Sequence, residues 1–383
     1  MTVLGLDVGN GKVKCCLLAC DNAALDLRQQ THFAWESCAL PFSSDRRQDF
    51  ALGLPMAVLG FLQRQQLPLK SLQGVVICCS HSFSYPNYAE SIAHLAEILC
   101  RFLQGLPAWL LRADGQLTLL AAVAELPQRA HYAYTFTNFY GSAFLGSRLI
   151  QNGLSLDLGT TTLDIIPIKA GQIDPAGLAP PADPADYLRY RYSHGRIHWL
   201  GLTVIPLPAL LQRVQLGSET YQVVARDYRS EVLLALQPDI RDALARQHAY
   251  GGHFPDPPTA RRQLAELIGL DDVLLSEAEI LALRDQLWQA LLARIASEIQ
   301  AVAAAQFERP LAELDLAIFA LGEHWALLPA LIKAGADPTR IRRLELGRDQ
   351  DLWSASSAFA MAVLALEQVS GQRVSGLSAQ TDA

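Results

Sequence analysis

Apolar runs that end in an acid and a small-residue turn occur twice along this chain. Residues 2–8, TVLGLDV, run apolar as far as Asp7, turn through Gly9, Asn10 and Gly11, and resume as the apolar VKCCLLAC, which predicts a β-hairpin. Residues 152–173, NGLSLDLGTTTLDIIPIKAGQI, repeat the layout: strand, Asp157, a Gly-Thr turn, a second strand and another glycine turn. FAWESCALPF and GVVICCSHSF predict further strands, and 87–105 has apolar residues at helical spacing with a glycine stop. WLLRADGQ and LTLLAAVAEL follow as a strand and a helix. Strands with helices close behind them predict an α/β lobe.

The second half reads differently. The proline-rich stretch 176–190 predicts a surface loop, and HGRIHWL and TVIPLPALL a strand pair leading into a short helix. Residues 221–250 and 259–308 are helical by pattern, LDLAIFALG is a buried strand ending at Gly322, and SASSAFAMAVLALEQV is a closing helix. Expected boundaries are a first α/β lobe over 1–136, a second over 137–350 with a helical insertion near 220–310, a closing helix over 351–370 and a flexible tail over 371–383. A strand-acid-turn-strand unit with one copy per lobe is what a two-lobe cleft requires. The predicted fold is therefore the two-lobe actin/Hsp70/sugar-kinase (ribonuclease H-like) type with a phosphate-binding cleft.

Composition narrows the function classes. The 383 residues are 51% hydrophobic and 18% charged, a core-rich globular composition. A net charge of −7 argues against a nucleic-acid surface, which needs a basic face. The start lacks a secretion pattern, and Glu323 and His324 interrupt the apolar 315–333 segment, so a cytoplasmic protein off the membrane is expected. Seven cysteines, all within the first hundred residues and without paired C-x-x-C spacing, predict small buried hydrophobes.

The chemistry concentrates in the two turns. Small residues at Gly9, Asn10 and Gly11 let backbone N–H groups approach an anion, and Asp7 beside them can hold Mg²⁺ through water. Asp157 repeats this before Gly159, Thr160, Thr161 and Thr162, whose hydroxyls and amides can wrap an oxyanion. Asp164 reads either as a catalytic or metal-bound acid or as an acceptor for the Thr-rich turn, and Lys14 as a phosphate partner or a solvent-edge lysine. Arg189, Arg191 and Arg196 read as a solvated basic loop, or else as a grip for an acidic substrate. His194 and His198 lack a third ligand, and Ser80, His81 and Ser82 lack a nucleophile elbow.

DVGNGKVK, TNFYGSAFLGSRLI and DLGTTTLDIIPI together resemble the hydantoinase/oxoprolinase-like proteins of tetrahydromethanopterin-linked one-carbon metabolism. Archaeal relatives in that family join an aminomethylfuran-methyl diphosphate to γ-glutamyltyramine. The resemblance maps Asp7, Gly9 and Lys14 onto the family's first turn, Asn138 onto its connection, and Asp157, Gly159, Thr161, Thr162 and Asp164 onto its second turn. It implies Asp7 and Asp157 as Mg²⁺ anchors, catalytic roles for Lys14 and Asp164, and a diphosphate substrate. The departures are a missing first-lobe glutamate in CCSHSF, Val204-Ile205-Pro206 in place of Arg-Thr-Pro, Ala225-Arg226 where Ala-Asp is expected, with Asp227 as its displaced acid, and a last glycine motif reduced to Gly322. That reduced motif argues against ATP. Three functions are consistent with this: a Mg²⁺-dependent transferase of methanofuran-type cofactor assembly, an ATP-dependent amide hydrolase, and a non-catalytic partner of an intact homologue. A homo-oligomer or a complex with that homologue is the expected assembly.

Overall fold

A computed structural model describes residues 1–9, 11–20, 25–27, 32–40, 46–80, 85–173, 181, 183–246, 254–320, 323–345 and 355–381. Two mixed sheets organise them. The first contains β1 (Thr2–Val8), β2 (Lys12–Ala19), β3 (His32–Ala39), β4 (Gly74–Cys79), β5 (Ala108–Leu111) and β6 (Leu117–Leu119), in the order β3-β2-β1-β4-β5-β6. The second contains β7 (Gly153–Leu158), β8 (Leu163–Lys169), β9 (Gln172–Ile173), β10 (Ile197–His198), β13 (Asp315–Ala320), β14 (Ile341–Glu345) and β15 (Ser378–Thr381). Its order is β10-β8-β7-β13-β14-β15, with β9 paired to β8. A separate hairpin joins β11 (Arg213–Leu216) to β12 (Glu219–Gln222).

The two sheets share one plan. β1 runs antiparallel to β2 and parallel to β4, and β7 runs antiparallel to β8 and parallel to β13. Because side chains alternate along a strand, each central strand serves two layers. Leu4, Leu6 and Val8 join a core with Phe61, Ile92 and Leu99 from the helices Leu54–Arg64 and Tyr88–Phe102. Leu154, Leu156 and Leu158 pack with Leu287, Leu291 and Ile295 of the long helix Glu277–Gln306, which a Ser276/Glu279 capping box starts.

The opposite faces meet between the sheets through two helices rich in small residues. The closing helix Ser356–Ser370 crosses β1 so closely that a Cβ on Gly5 would lie 2.0 Å from the Ala358 carbonyl oxygen. The connecting helix Asn138–Leu149 lies on β7, where a Cβ on Gly146 would meet Ser155 at 2.7 Å; at Gly141 it would meet Ser357 at 2.9 Å. Alanine, serine and glycine let backbones approach this closely, and interiors pack to crystal density. This duplicated layout is the two-lobe actin/sugar-kinase fold.

Several local expectations change. The helices Leu54–Arg64 and Asn138–Leu149 carry no clear sequence signal, because their glycines read as breaks. The end of the 176–190 stretch, expected to be a surface loop, instead opens the helix Tyr187–Ser193, which buries Tyr187, Tyr190 and Arg191. The tail expected to fray instead buries Val374 and adds β15 to the edge of the second sheet. Six cysteines are buried and Cys100 is partly buried. No helix among the described residues is long and apolar enough to cross a membrane.

Candidate functional site

The two acid turns have the same backbone. The Gly9 amide donates to the Lys12 carbonyl at 2.9 Å, and the Gly159 amide donates to the Thr162 carbonyl at 2.9 Å. In each hairpin the acid stands directly opposite a charged residue of the next strand. Asp7 faces Lys14 and Asp157 faces Asp164.

In the first turn the charges match. Lys14 Nζ lies 2.9 Å from Asp7 Oδ2, and the Ser357 hydroxyl at the start of the closing helix donates to the same oxygen at 2.5 Å. Burial would raise the Asp7 carboxyl, but Lys14 and Ser357 outweigh it and hold it below its ordinary value. Burial likewise opposes the Lys14 charge, yet Asp7, with Asp157 behind it, keeps the ammonium above its usual range. Lys14 is thus the ion-pair partner of Asp7, with Asp157 within its electrostatic reach. Lys12, two positions earlier on the same strand face, is brought down to about 7 by burial and by repulsion from Lys14.

In the second turn the charges are alike. Burial, reinforced by Asp164, lifts Asp157 to about 7 against the pull of Lys14 and a hydrogen bond from Ser142 of the connecting helix. Burial lifts Asp164 to about 6 in spite of Arg191 and the Thr162 hydroxyl. Arg191 is 2% exposed; its guanidinium donates to Asp164 Oδ1 at 2.5 Å and to the Phe136 carbonyl at 3.0 Å, over the Phe139 ring. Asp164 thus accepts from the Thr turn and from Arg191, opposite Asp157.

The Gly159–Thr162 turn is braced from behind. The amides of Gly201, Leu202 and Thr203 donate to the carbonyls of Thr161, Gly159 and Thr160 at 3.1, 3.1 and 3.0 Å, and the Thr203 hydroxyl adds a bond to Thr160 at 3.0 Å. A Cβ on Gly201 would stand 2.2 Å from the Thr161 carbonyl carbon. With the carbonyls engaged behind, the turn can present its amides to an anion.

The remaining sequence candidates fall as follows. Asn138 begins the connecting helix one turn before Ser142, on the stripe that faces Asp157. Gly11 has open space where a Cβ would stand, and its carbonyl accepts from Leu40. Asn10 and Gly322, with His81 and Ser82, lie outside the described residues. The arginine cluster expected to be solvated is corrected: Arg191 and Arg196 are each 2% exposed, and only Arg189 faces solvent. Asp227 is exposed beside Arg229. His194 bonds the Tyr190 carbonyl, while His198 bonds Gly195 and approaches Glu298. Sequence reasoning misses Ser142, Gly201, Thr203 and Ser357, and misses that Arg191 is buried. Only the glycine before Leu202 and the serine pair opening the closing helix leave a sequence trace, and neither pattern is specific.

Among the described residues no cluster of three or more His, Cys, Asp or Glu side chains gathers around one point. A small cavity beside Gly9 is lined by Val8, Phe50, Ser80, Tyr85, Ser91 and Leu95. It opens on the Val8 face of the first sheet, opposite to the Asp7 face.

The geometry is that of a two-lobe α/β protein with charged turns from both sheets converging at the interlobe helices. No family model matches the sequence, and no curated protein matches it. Among solved structures it is similar to acetone carboxylase in the nucleotide-free structure of a study of ATP-dependent acetone carboxylation, with a TM-score of 0.52 and 10% identity, over 94% of this chain and 70% of that one. Looser likenesses are the ROK hexokinase of Thermus thermophilus (TM-score 0.42, 14% identity, 97% of this chain and 100% of that one) and component A of the Acidaminococcus fermentans (R)-2-hydroxyglutaryl-CoA dehydratase (0.40, 9%, 96% and 99%). The fold is read from the strand orders and the first of these.

Proposed function

We propose that the chain is a Mg²⁺-dependent enzyme that binds a diphosphate-bearing substrate between the two turns and transfers its organic group to a hydroxyl. The observation that carries this is the meeting of Lys14, coupled electrostatically to Asp7 and Asp157, with a proton-accepting carboxylate pair. In the finer form implied by the family resemblance, the substrate is a furan-methyl diphosphate and the acceptor a tyramine-like phenol. The phenolic oxygen forms a bond to the methylene carbon as the bond from that carbon to the diphosphate breaks. Asp164, whose carboxyl burial lifts to about 6, takes the phenolic proton. Lys14, Lys12 and the Thr160–Thr162 amides offset the charge of the departing pyrophosphate.

The residues fit a magnesium ion. Asp7 is already balanced by Lys14, whereas Asp157 is a carboxylate short of positive charge, and carboxylate oxygens are the donors this hard cation prefers. Asp157, with Asp7 beside it, would hold the ion, which when bound supplies charge neutralisation for a phosphate group.

A second reading, ATP-dependent activation, gains from the fold shared with acetone carboxylase, since the sequence argument against ATP rests on Gly322, outside the described residues. Calorimetric titration separates the readings. Pyrophosphate with Mg²⁺ should bind, Asp157→Asn should abolish that binding, and pyrophosphate should be released from furfuryl diphosphate in the presence of tyramine. Tight binding of ATP with no such release would favour the second reading. Binding of neither ligand would favour the reading as a non-catalytic partner of a homologue.

A further inference from the structure

On the face of the first sheet opposite to Asp7 and Lys14, two thiols and a guanidinium come together, and no step above uses them. Cys15 of β2 stands opposite Glu36 of the edge strand β3, and Cys38 stands opposite Val13. Cys15 and Cys38 are therefore diagonal neighbours on one side of an antiparallel pair, and both belong to the core that the Leu54–Arg64 helix covers. Arg64, the last residue of that helix, donates from Nε and Nη2 to the two Glu36 carboxylate oxygens at 2.9 and 2.7 Å. The same Nη2 lies 3.9 Å from the Cys38 sulfur.

The two thiols are not equivalent. The Cys15 thiol donates to the Cys38 sulfur, and this bond, with the Arg64 charge behind it, holds Cys38 below an ordinary thiol in spite of burial and of Glu36. Giving that bond, together with burial, puts Cys15 well above one. Cys38 is 9% exposed beneath an arginine side chain that is 54% exposed, whereas Cys15 is fully buried. Cys100 is more exposed than Cys38, but burial and then Glu125 raise its thiol.

A thiolate at the rim with a second thiol behind it is the arrangement of an oxidisable pair, one sulfur to meet the oxidant and one to resolve the product. Diagonal positions lie about 7–8 Å apart between Cα atoms, and a disulfide needs roughly 4.4–6.8 Å, so closure asks for a small inward shift. β3 is bonded along one side only and is the strand able to make it.

We propose that Cys38 and Cys15 form a peroxide-oxidised dithiol site, in which Cys38 reacts with a small hydroperoxide and Cys15 closes the disulfide. The Cys38 thiolate attacks a peroxide oxygen; the S–O bond forms as the O–O bond breaks, and hydroxide leaves with its charge offset by Arg64 and takes a proton from water. The Cys15 sulfur then bonds to the Cys38 sulfur and its proton goes to the departing hydroxyl as water. Two thiols lose two electrons, and hydrogen peroxide becomes two waters. The site stands independently of the function proposed above. Lys14 directly precedes Cys15, so the cross-link fastens the edge strand to the strand that carries the lysine of the first acid turn.

The test treats the reduced full-length protein with a low excess of hydrogen peroxide, quenches it at intervals by alkylation in denaturant, and maps the peptides by mass spectrometry without reduction. A peptide pair joined through Cys15 and Cys38 should appear and be reversed by dithiothreitol. Cys38 should be consumed about tenfold or more faster than Cys100. In Cys15→Ala, Cys38 should stop as a sulfenic acid that dimedone captures, and Arg64→Gln should slow its consumption about threefold or more, with circular dichroism melts to establish that both variants fold. Three results in the wild-type protein overturn the proposal whatever the variants do: no oxidation at Cys38, oxidation of Cys100 as early as Cys38, or oxidised Cys38 with no bond to Cys15. An unchanged rate in folded Arg64→Gln overturns the part given to the guanidinium.

Discussion

The two turns are built on one backbone and differ in the charges that follow it, Lys12 and Lys14 in the first standing where Thr162 and Asp164 stand in the second. Each closes with a glycine amide on a carbonyl three residues on, and each places an aspartate opposite the strand that follows. Across from Asp7 stands a lysine; across from Asp157 stands a second aspartate. Oppositely charged cross-strand neighbours stabilise and like charges repel, so the first hairpin is a settled ion pair and the second stores a proton near neutral pH. The same fold element holds its acid once in an ion pair and once beside a second acid, and the residue opposite decides which.

The largest effect is expected where the second turn is held from behind. Gly201→Ala pushes a methyl into the Thr160–Thr161 backbone and should cost about 4 kcal/mol or more in urea unfolding, with loss of pyrophosphate binding. Gly9→Ala meets only the Lys12 carbonyl, at 3.1 Å, and should be far milder. Equal costs for the two would break the comparison.

Next in size is the first turn's charge. Lys14→Met leaves Asp7 buried without its ammonium and should destabilise by about 3 kcal/mol. Asp7→Asn in the same chain should recover much of that, since the orphaned charge is gone. A double variant no more stable than Lys14→Met would show that the pair is not a unit.

The pH dependence separates the turns by sign. Asp157 and Asp164 titrate near 7 and 6 when folded, above their ordinary 3.8, so between about pH 4 and 7 the folded state binds more protons than the unfolded one. Stability should fall as pH rises through that window. A tenfold difference in proton affinity between the folded and unfolded states is worth about 1.4 kcal/mol, so a total on the order of a few kcal/mol is expected in thermal melts. Asp157→Asn should flatten the slope, and Mg²⁺ should lessen it. Asp7 works oppositely: its carboxyl is held low, and its contribution is lost only as pH drops below about 4. A wild-type profile that is flat from pH 5 to 8 would contradict the second turn's reading.

The smallest effect belongs to the brace. Thr203→Val removes one hydroxyl bond to Thr160 and should cost about 1 kcal/mol while slightly weakening anion binding. Pyrophosphate affinity unchanged within error would limit the brace to the Gly201–Thr203 amides.

The duplicated layout is legible in the sequence because strand, acid and small-residue turn are all local signals. Asp7, Lys14, Asp157 and Asp164 can be chosen from it, but not how they pair, since which face a charged residue takes depends on register. Arg191 reads as solvated because three arginines in a polar stretch ordinarily are; its burial becomes visible only when Asp164 is placed opposite it. The Asn138–Leu149 helix escapes notice for a related reason. Gly141 and Gly146 lower helix propensity, yet they are there to admit Ser357 and Ser155.

The contact of Ser357 with Asp7 spans 350 residues of chain, and Gly5 lies under Ala358 nearby. During synthesis at roughly 5–20 residues per second, the first strand would emerge about twenty seconds to a minute before the helix that covers it. Through that interval Val3, Cys16, Leu18, Val76 and Cys78, which end in the core shared with the closing helix, lack the cover that this helix supplies. The earliest part of this protein to be made is among the last to be finished, and a ribosome that stalls before the closing helix leaves a cysteine-bearing apolar sheet for chaperones to guard.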